Sequence, residues 1–206
     1  MEDVLDIYCL PYDENIPLIC MDEKPYQLLD EELKPLPMKQ GRLKRIDYEY
    51  IRNGTCSIFV FTEPLAGWRK TSVRERRTKI DWAEEIYELL TVDYPDKPKI
   101  RLVLDNLNTH TIGSLYDKYP PEIARALVKR LEIHYTPNHG SWLNIAEVEL
   151  SVMERQCLKR RLPDIETVRA ELTSWHTARN TNTKYVDWQF KTPEARIKLK
   201  KLYLIL

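Results

Sequence analysis

Two short apolar runs, residues 16–21 (Ile-Pro-Leu-Ile-Cys-Met) and residues 100–104 (Ile-Arg-Leu-Val-Leu), are each followed by an aspartate, Asp22 and Asp105. Runs this short, rich in branched side chains, read as buried strands rather than helices. Each strand then carries its aspartate at its C-terminal end. In open sheets with parallel strands, ligands collect outside those carboxyl ends, so neighbouring strands would set the two carboxylates face to face. Two anions so placed repel unless a proton or cation lies between them. Hard divalent ions with oxygen ligands answer that need, Mg2+ first and Mn2+ second. An aspartate after a strand is also an ordinary turn residue, so the pair needs support from elsewhere in the chain.

The remaining pattern is strand, hairpin, helix, strand, helix, strand, helix, helix. Residues 22–45 are charged, hold Pro25, Pro35 and Pro37, and read as a loop or irregular excursion. Residues 45–51 alternate and residues 55–61 are rich in β-formers, with Asn53-Gly54 between them as a hairpin signal. Trp82, Ala83, Ile86, Leu89 and Leu90 fall at helical spacing, with Asp81 placed to cap them. Pro121 opens a further helix, residues 131–135 (Leu-Glu-Ile-His-Tyr) alternate as a strand, and residues 144–158 lack Pro and Gly and read as a helix. Asp164 starts another helix, and residues 193–206 read as a basic helix with an apolar end. The expected fold class is α/β: a mixed sheet of three antiparallel strands followed by parallel strands, flanked by helices.

With 206 residues, of which 43% are hydrophobic, the chain suits about one domain with a sizeable core. Lys plus Arg and Asp plus Glu number 32 each, so a globally basic nucleic-acid binder is excluded while a local basic patch is not. No apolar run is long enough for a membrane span, and the acidic N-terminus is unlike a signal peptide. Cys9, Cys20, Cys56 and Cys157 lack CxxC spacing, which points away from a zinc site or a disulfide framework.

A third acid would complete a metal site. Residues 137–140 (Pro-Asn-His-Gly) form a loop, Ser141 or Asn144 is placed to cap the next helix, and Glu147 falls in its first turn. On a 100° wheel Glu147, Ser151 and Glu154 share a polar arc, and Ile145, Val148 and Val152 an apolar one. Glu149 falls inside the apolar arc and is the rival site-facing acid. The plainer role for Glu147 is a first-turn acid that suits the helix dipole.

Met21-Asp22-Glu23-Lys24, Leu104-Asp105-Asn106-Leu107-Asn108-Thr109-His110 and Ser141-Trp142-Leu143-Asn144-Ile145-Ala146-Glu147 together resemble the catalytic half of bacterial insertion-sequence transposases of the mariner superfamily, the IS-six-thirty group. The resemblance runs from about residue 16 to the Lys-rich end. Its specific parts are Asp105-Asn106 with His110 after them, and Leu-Asn-x-x-Glu after a Pro/Gly loop, which sets Glu147 42 positions beyond Asp105.

The resemblance implies an RNase H-like catalytic domain over residues 16–206, preceded by an N-terminal extension of residues 1–15. Asp22, Asp105 and Glu147 match its D-D-E triad, which holds two Mg2+ ions, with Mn2+ able to substitute. One ion would activate a water or a 3′-hydroxyl and the other stabilise the leaving oxygen, ~3.5–4 Å apart. The expected activity is metal-dependent DNA cleavage and strand transfer in transposition, by a homo-oligomer in the bacterial cytoplasm, associated with the nucleoid. Asn106, His110 and His139 are candidates for orienting the acids or their waters, against a plainer role as loop residues. Trp142 is placed to stack a base or to pack on its own helix. Arg69, Lys70, Arg74, Arg76, Arg77 and Lys79 form one basic cluster and Lys159, Arg160 and Arg161 another. Arg74, Arg76, Arg77 and Arg160 are the DNA-contact candidates, against the default of a solvated charged face.

Complete transposases of this group carry helix-turn-helix modules before the catalytic domain, and only about 15 residues precede the first strand here. The expectation is that no helix-turn-helix domain is present. Recognition of transposon ends then falls to an upstream domain or subunit. A piece of a longer protein, a split reading frame and a decayed remnant all fit. The competing readings are an RNase H-like nuclease acting on other nucleic acid, and an inactive remnant that binds DNA or oligomerises, with the apolar residues 202–206 as a contact.

Overall fold

The computed structural model describes residues 1–203 of the chain. Its centre is a five-stranded sheet in the order β3-β2-β1-β4-β5, built from β1 Leu18–Glu31, β2 Tyr50–Glu63, β3 Trp68–Arg74, β4 Ile100–Leu104 and β5 Leu131–Tyr135. β1, β2 and β3 pair antiparallel, β4 runs parallel to β1, and β5 runs parallel to β4. The helices are α1 Glu2–Tyr8, α2 Lys79–Glu88, α3 Ile112–Lys118, α4 Pro121–Lys129, α5 Ala146–Met153, α6 Ile165–Thr181, α7 Thr192–Lys198 and α8 Lys200–Tyr203. The expected mixed sheet flanked by helices is what forms. Among the described residues no helix is long and apolar enough to cross a membrane.

Side chains alternate across the strands, so each strand feeds two cores. Ile19 and Met21 of β1, Phe59 and Phe61 of β2, and Leu102 and Leu104 of β4 pack against α2, α3 and α4, with Trp82 fully buried among them. Ile58 and Val60 of β2 face the other way, onto Leu150 and Met153 of α5 and Val168 and Leu172 of α6. Cys20 and Val103 join that second face where α1, the start of α5 and Ala195 of α7 cover it. Residues 2–8, read from sequence as part of an extension, thus form a helix whose Val4 and Leu5 are buried in a core.

Three sequence expectations need correction. β1 does not end at Asp22 but continues to Glu31, with the acid in mid-strand. Pro25 is tolerated there because β1 is paired with β4 only over Leu18, Ile19 and Cys20; beyond that point its neighbour is β2 alone. The irregular excursion is therefore the shorter segment 32–49, which takes in most of the strand expected at 45–51 and is held by bridges between Leu36 and Arg45 and between Lys39 and Arg42. Asn53-Gly54 is not a hairpin turn but an interior bulge of β2. The register shifts from Gln27 opposite Thr55 to Leu29 opposite Arg52, and Gly54 takes φ +99. The hairpin turn lies at residues 64–67, where the Gly67 N–H donates to the Glu63 carbonyl at 2.8 Å, and it leads into β3, a strand read from sequence only as a basic cluster. Finally, Thr78 rather than Asp81 is the N-cap of α2. Asp81 is the third helical residue of a capping box with it.

α6 lies along β3. The Asn180 amide accepts from the Arg69 N–H at 2.9 Å and donates to the Arg69 carbonyl at 2.8 Å. Asp164 caps α6 by accepting from the Thr167 N–H at 2.7 Å, as its sequence position suggests. The apolar end at residues 202–206 falls largely outside the described residues.

Candidate metal and catalytic centre

The pairing of Cys20 with Val103, carried on two residues in the same parallel register, sets Asp22 level with Asp105. α5 reaches this end of the sheet through Asn144. Its Nδ2 donates to the Met21 carbonyl at 2.8 Å, and its Oδ1 accepts from the Ala146 N–H at 3.1 Å. Asn144 thus ties β1, one residue before Asp22, to the first turn of α5, while the buried Leu143 anchors the approach. Glu147 follows in that first turn. The Leu-Asn-x-x-Glu stretch therefore has a physical reading: Leu buries, Asn ties, Glu reaches the site. Asp22 and Glu147 line an open cleft of about 430 Å³ with Lys24 and Glu154.

Asp22 is 8% exposed and accepts from the Glu23 N–H at 2.8 Å. Burial pushes its carboxyl up to about 7, and the neighbouring carboxylates of Glu147, Asp105 and Glu23 add to the rise against that hydrogen bond. Asp22 therefore feels the other two acids as like charges. Asp105 is turned toward His110, whose Nδ1 lies 2.6 Å from its Oδ1, while His110 Nε2 lies 3.0 Å from Glu23 Oε2. Burial disfavours an imidazolium there, but hydrogen bonds to Asp105 and Glu23 outweigh it and raise His110 to about 9.

Among the described residues, the donors that gather within 4.8 Å of one another are Glu23, Asp105 and His110, and the triad does not converge to that distance. The residues still suit a divalent ion. The triad offers carboxylate oxygens only, as a hard cation prefers, and its buried member is protonated more readily than a free carboxylate, first through burial and then through its carboxylate neighbours.

Sequence reasoning singled out Asp22, Asp105, Glu147 and His110, and the structure brings all four to this end of the sheet. Asn106 is exposed beside Asp105. His139, at φ +60, lines a separate pocket of about 300 Å³ with Met1 and Trp142. Trp142 is 44% exposed and meets Phe190 rather than its own helix, with ring centroids 6.1 Å apart. Glu23 and the tie through Asn144 went unassigned, although the Asp22-Glu23 doublet and the position of Asn144 were the available signals.

The wheel for α5 needs correction. Ala146, Glu149, Leu150 and Met153 face inward and Val148 is exposed. Glu149 is drawn in because Arg69 Nε and Arg179 Nη2 reach its Oε2 at 2.9 and 3.0 Å, so it is an ion-pair partner and not a cleft-facing acid. The first basic cluster also divides. Arg69 is 1% exposed, Lys70 pairs with Glu88 and Asp93, and Arg74 is bound by Glu84 and Glu85, which removes it as a free phosphate contact. Arg76 is exposed, and Arg77 is half-exposed at 3.8 Å from Glu23 Oε1. Arg160 is exposed and paired with Glu171, while Arg161 pairs with Glu31.

With this geometry the comparisons with known proteins agree. Residues 17–169 match the family described as DDE superfamily endonuclease, and the chain belongs to that family. A divalent metal is part of that family's chemistry. The fold is RNase H-like. It is shared with the Mos1 mariner paired-end complex with Mn, at TM-score 0.55 and 16% identity over 80% of this chain and 49% of that one. It is shared also with the Mos1 strand transfer complex, at 0.55 and 14% over 79% and 47%. The catalytic domain of Mos1 mariner transposase matches at 0.55 and 13% over 80% and 72%. The chain spans about half the length of the chains in the two complexes. No curated protein sequence matches it.

Proposed function

We propose that the chain is the catalytic part of a transposase that cleaves DNA strands and joins them to target DNA, with Mg2+ as the working ion and Mn2+ able to replace it. What supports this reading is that Asp22, level with Asp105 on the neighbouring strand and beside Glu147 in an open cleft, has both as carboxylate neighbours at the end of an RNase H-like sheet. The domain takes in residues 16–206, with α1 packed onto it.

Asp22, Asp105 and Glu147 would hold the divalent ions. Bound there, the ions supply Lewis-acid stabilisation of phosphate oxygens and activation of a water or 3′-hydroxyl. Asp22 gives up its proton when the site loads, because a ligand carboxylate must be ionised. Asn144 keeps Glu147 in place against β1, and His110 keeps Asp105 from turning freely. The cleft is open, as a polymer substrate requires. Arg76, Arg77 and Arg160 would meet phosphates and Trp142 a base, with Asn106 and His139 beside the approach. Binding of transposon ends and assembly into a homo-oligomer fall to the working complex, with an upstream DNA-binding domain or subunit.

The test is nicking of supercoiled plasmid with Mg2+ or Mn2+, with a labelled DNA end added to detect joining. Ion-dependent nicking that falls at least ~100-fold in Asp105→Asn and in Glu147→Gln, with joined product from the wild type, is the expected result. Nicking without joining would instead favour the RNase H-like nuclease. No nicking, together with no Mn2+ binding in the presence of DNA, would leave the remnant.

A further inference from the structure

Glu23 adjoins Asp22 on β1, so the two side chains leave opposite faces of the sheet. The carboxylate of Glu23 is turned to the face covered by α2, where its side chain is 2% exposed and lies 3.0 Å from His110 Nε2. Neither of its oxygens makes a hydrogen bond of regular geometry, so the imidazole and the distant Arg77 are its charge partners among the described residues.

His110 is fixed on every side. Its ring stacks on the buried Trp82, with centroids 5.9 Å apart and planes 28° apart. Its backbone carbonyl accepts from the Tyr135 hydroxyl at 2.8 Å, and its N–H donates to the Leu107 carbonyl at 3.0 Å. The remaining ring nitrogen lies 2.6 Å from Asp105 Oδ1. Asp105 stands just past the end of β4, where no ladder constrains it. The ring is what limits its rotation, and Glu23 is what sets the ring.

We propose that Glu23 is a positioning residue for the metal-dependent reaction: acting through His110, it fixes the orientation of the Asp105 carboxylate. The inference rests on the reading of Asp105 as a metal-holding acid. Adjacent acids on one strand then divide the work, with Asp22 facing the cleft and Glu23 holding its partner from behind the sheet. Residues that orient ligands in this way are worth 10–100-fold in metal affinity.

The test uses Mn2+ alone, titrated calorimetrically into the full chain, for wild type, Glu23→Ala, Glu23→Gln, His110→Ala, the Glu23→Ala/His110→Ala double variant and Asp22→Asn. Glu23→Ala is expected to weaken Mn2+ binding about 10–100-fold. Glu23→Gln should recover most of it, because its amide oxygen can keep the 3.0 Å contact with His110 Nε2. The double variant should be no weaker than His110→Ala, since both act through one ring. Unchanged Mn2+ affinity in Glu23→Ala with a lower unfolding midpoint makes the pair merely structural and overturns the inference.

A second readout separates this inference from the reading beneath it. The proton NMR resonance of the His110 Nδ1–H bonded to Asp105 should shift or vanish in Glu23→Ala and persist in Asp22→Asn. If wild type and Asp22→Asn bind Mn2+ equally, the triad reading fails, and the resonance alone shows whether Glu23 governs the Asp105 contact. A resonance unmoved in Glu23→Ala overturns that linkage.

Discussion

Asp22 is nearly buried and is held at about 7, against an ordinary value of 3.8, first by burial and then by its carboxylate neighbours. Because its folded value lies above its unfolded one, the folded state binds the extra proton between those values. Its contribution to stability is present at low pH and is lost as pH rises through about 7. Above that the unmet charge costs up to ~4 kcal/mol. In metal-free protein, Asp22→Asn should therefore raise the thermal midpoint most at pH 8.5, less at pH 5 and hardly at all at pH 3. Identical pH profiles for the two proteins would rule this out. Added Mn2+ should then stabilise the wild type and leave the variant unmoved. Glu149 makes the opposite case, a buried charge already met by Arg69 and Arg179. Removing it strands the buried Arg69 and the partly buried Arg179, so Glu149→Ala should cost roughly 3–5 kcal/mol in urea unfolding. Replacing all three residues by methionine together should cost clearly less than that, and an equal or larger loss would refute the ion-pair account.

Among the elements, β4, β5, α4 and α6 were legible because their signals are local: a short apolar run, an alternating run, a proline in a first turn, an aspartate cap. That Asp22 and Asp105 lie level on neighbouring strands was legible for the same reason, while Glu147 rests on the resemblance as much as on its helix position. What the sequence hid depends on neighbours. β1 reads as a loop after Asp22 because Pro25 forbids a central strand, and only the absence of β4 alongside makes it permissible. β3 is disguised by Arg69, Lys70 and Arg74, whose charges are met by acids from α5, α2 and the turn after it. The α5 wheel erred at Val148, which is exposed; it put Glu149 on the inward arc, where two distant arginines meet its charge and keep it from being the cleft-facing acid. Turn chemistry misled as well, since Asn-Gly serves a bulge as readily as a hairpin. The true hairpin is guarded by Gly67 at φ +67, where an added Cβ would meet Thr183 Cγ2 at 2.7 Å and the Lys184 carbonyl at 3.0 Å. Gly67→Ala should lose the ~1 kcal/mol of a left-handed position and about 1–3 kcal/mol more from crowding. Gly41→Ala, at φ +76 in open space, should lose only the first amount, as denaturant midpoints would register.

For the molecule as a whole, formal neutrality conceals a sorting of its cations. Most of the first basic cluster is bound to acids within the fold, the exposed Lys79 included, and Arg76 and Arg77 are what it leaves toward solvent without a close acid. Affinity for duplex DNA should therefore fall with salt, and each of Arg76→Ala and Arg77→Ala should flatten the slope of log K against log salt by about 0.9. Arg74→Ala should leave that slope alone and lower stability instead. A slope change for Arg74 equal to that for Arg76 would return it to the DNA surface.

β3 is bonded to β2 on one side, and on the other the Asn180 side chain gives and takes the two hydrogen bonds that a sixth strand would have made with Arg69. With Arg169 donating to the Val73 carbonyl farther along, two side chains of one helix thereby block the docking of a foreign strand. Proteins with unguarded sheet margins are prone to stack edge to edge into aggregates. Asn180→Ala would open that seam, so its cost should show less in the folding of one chain than in what happens when many are crowded together. Concentration-dependent light scattering is where it would be seen.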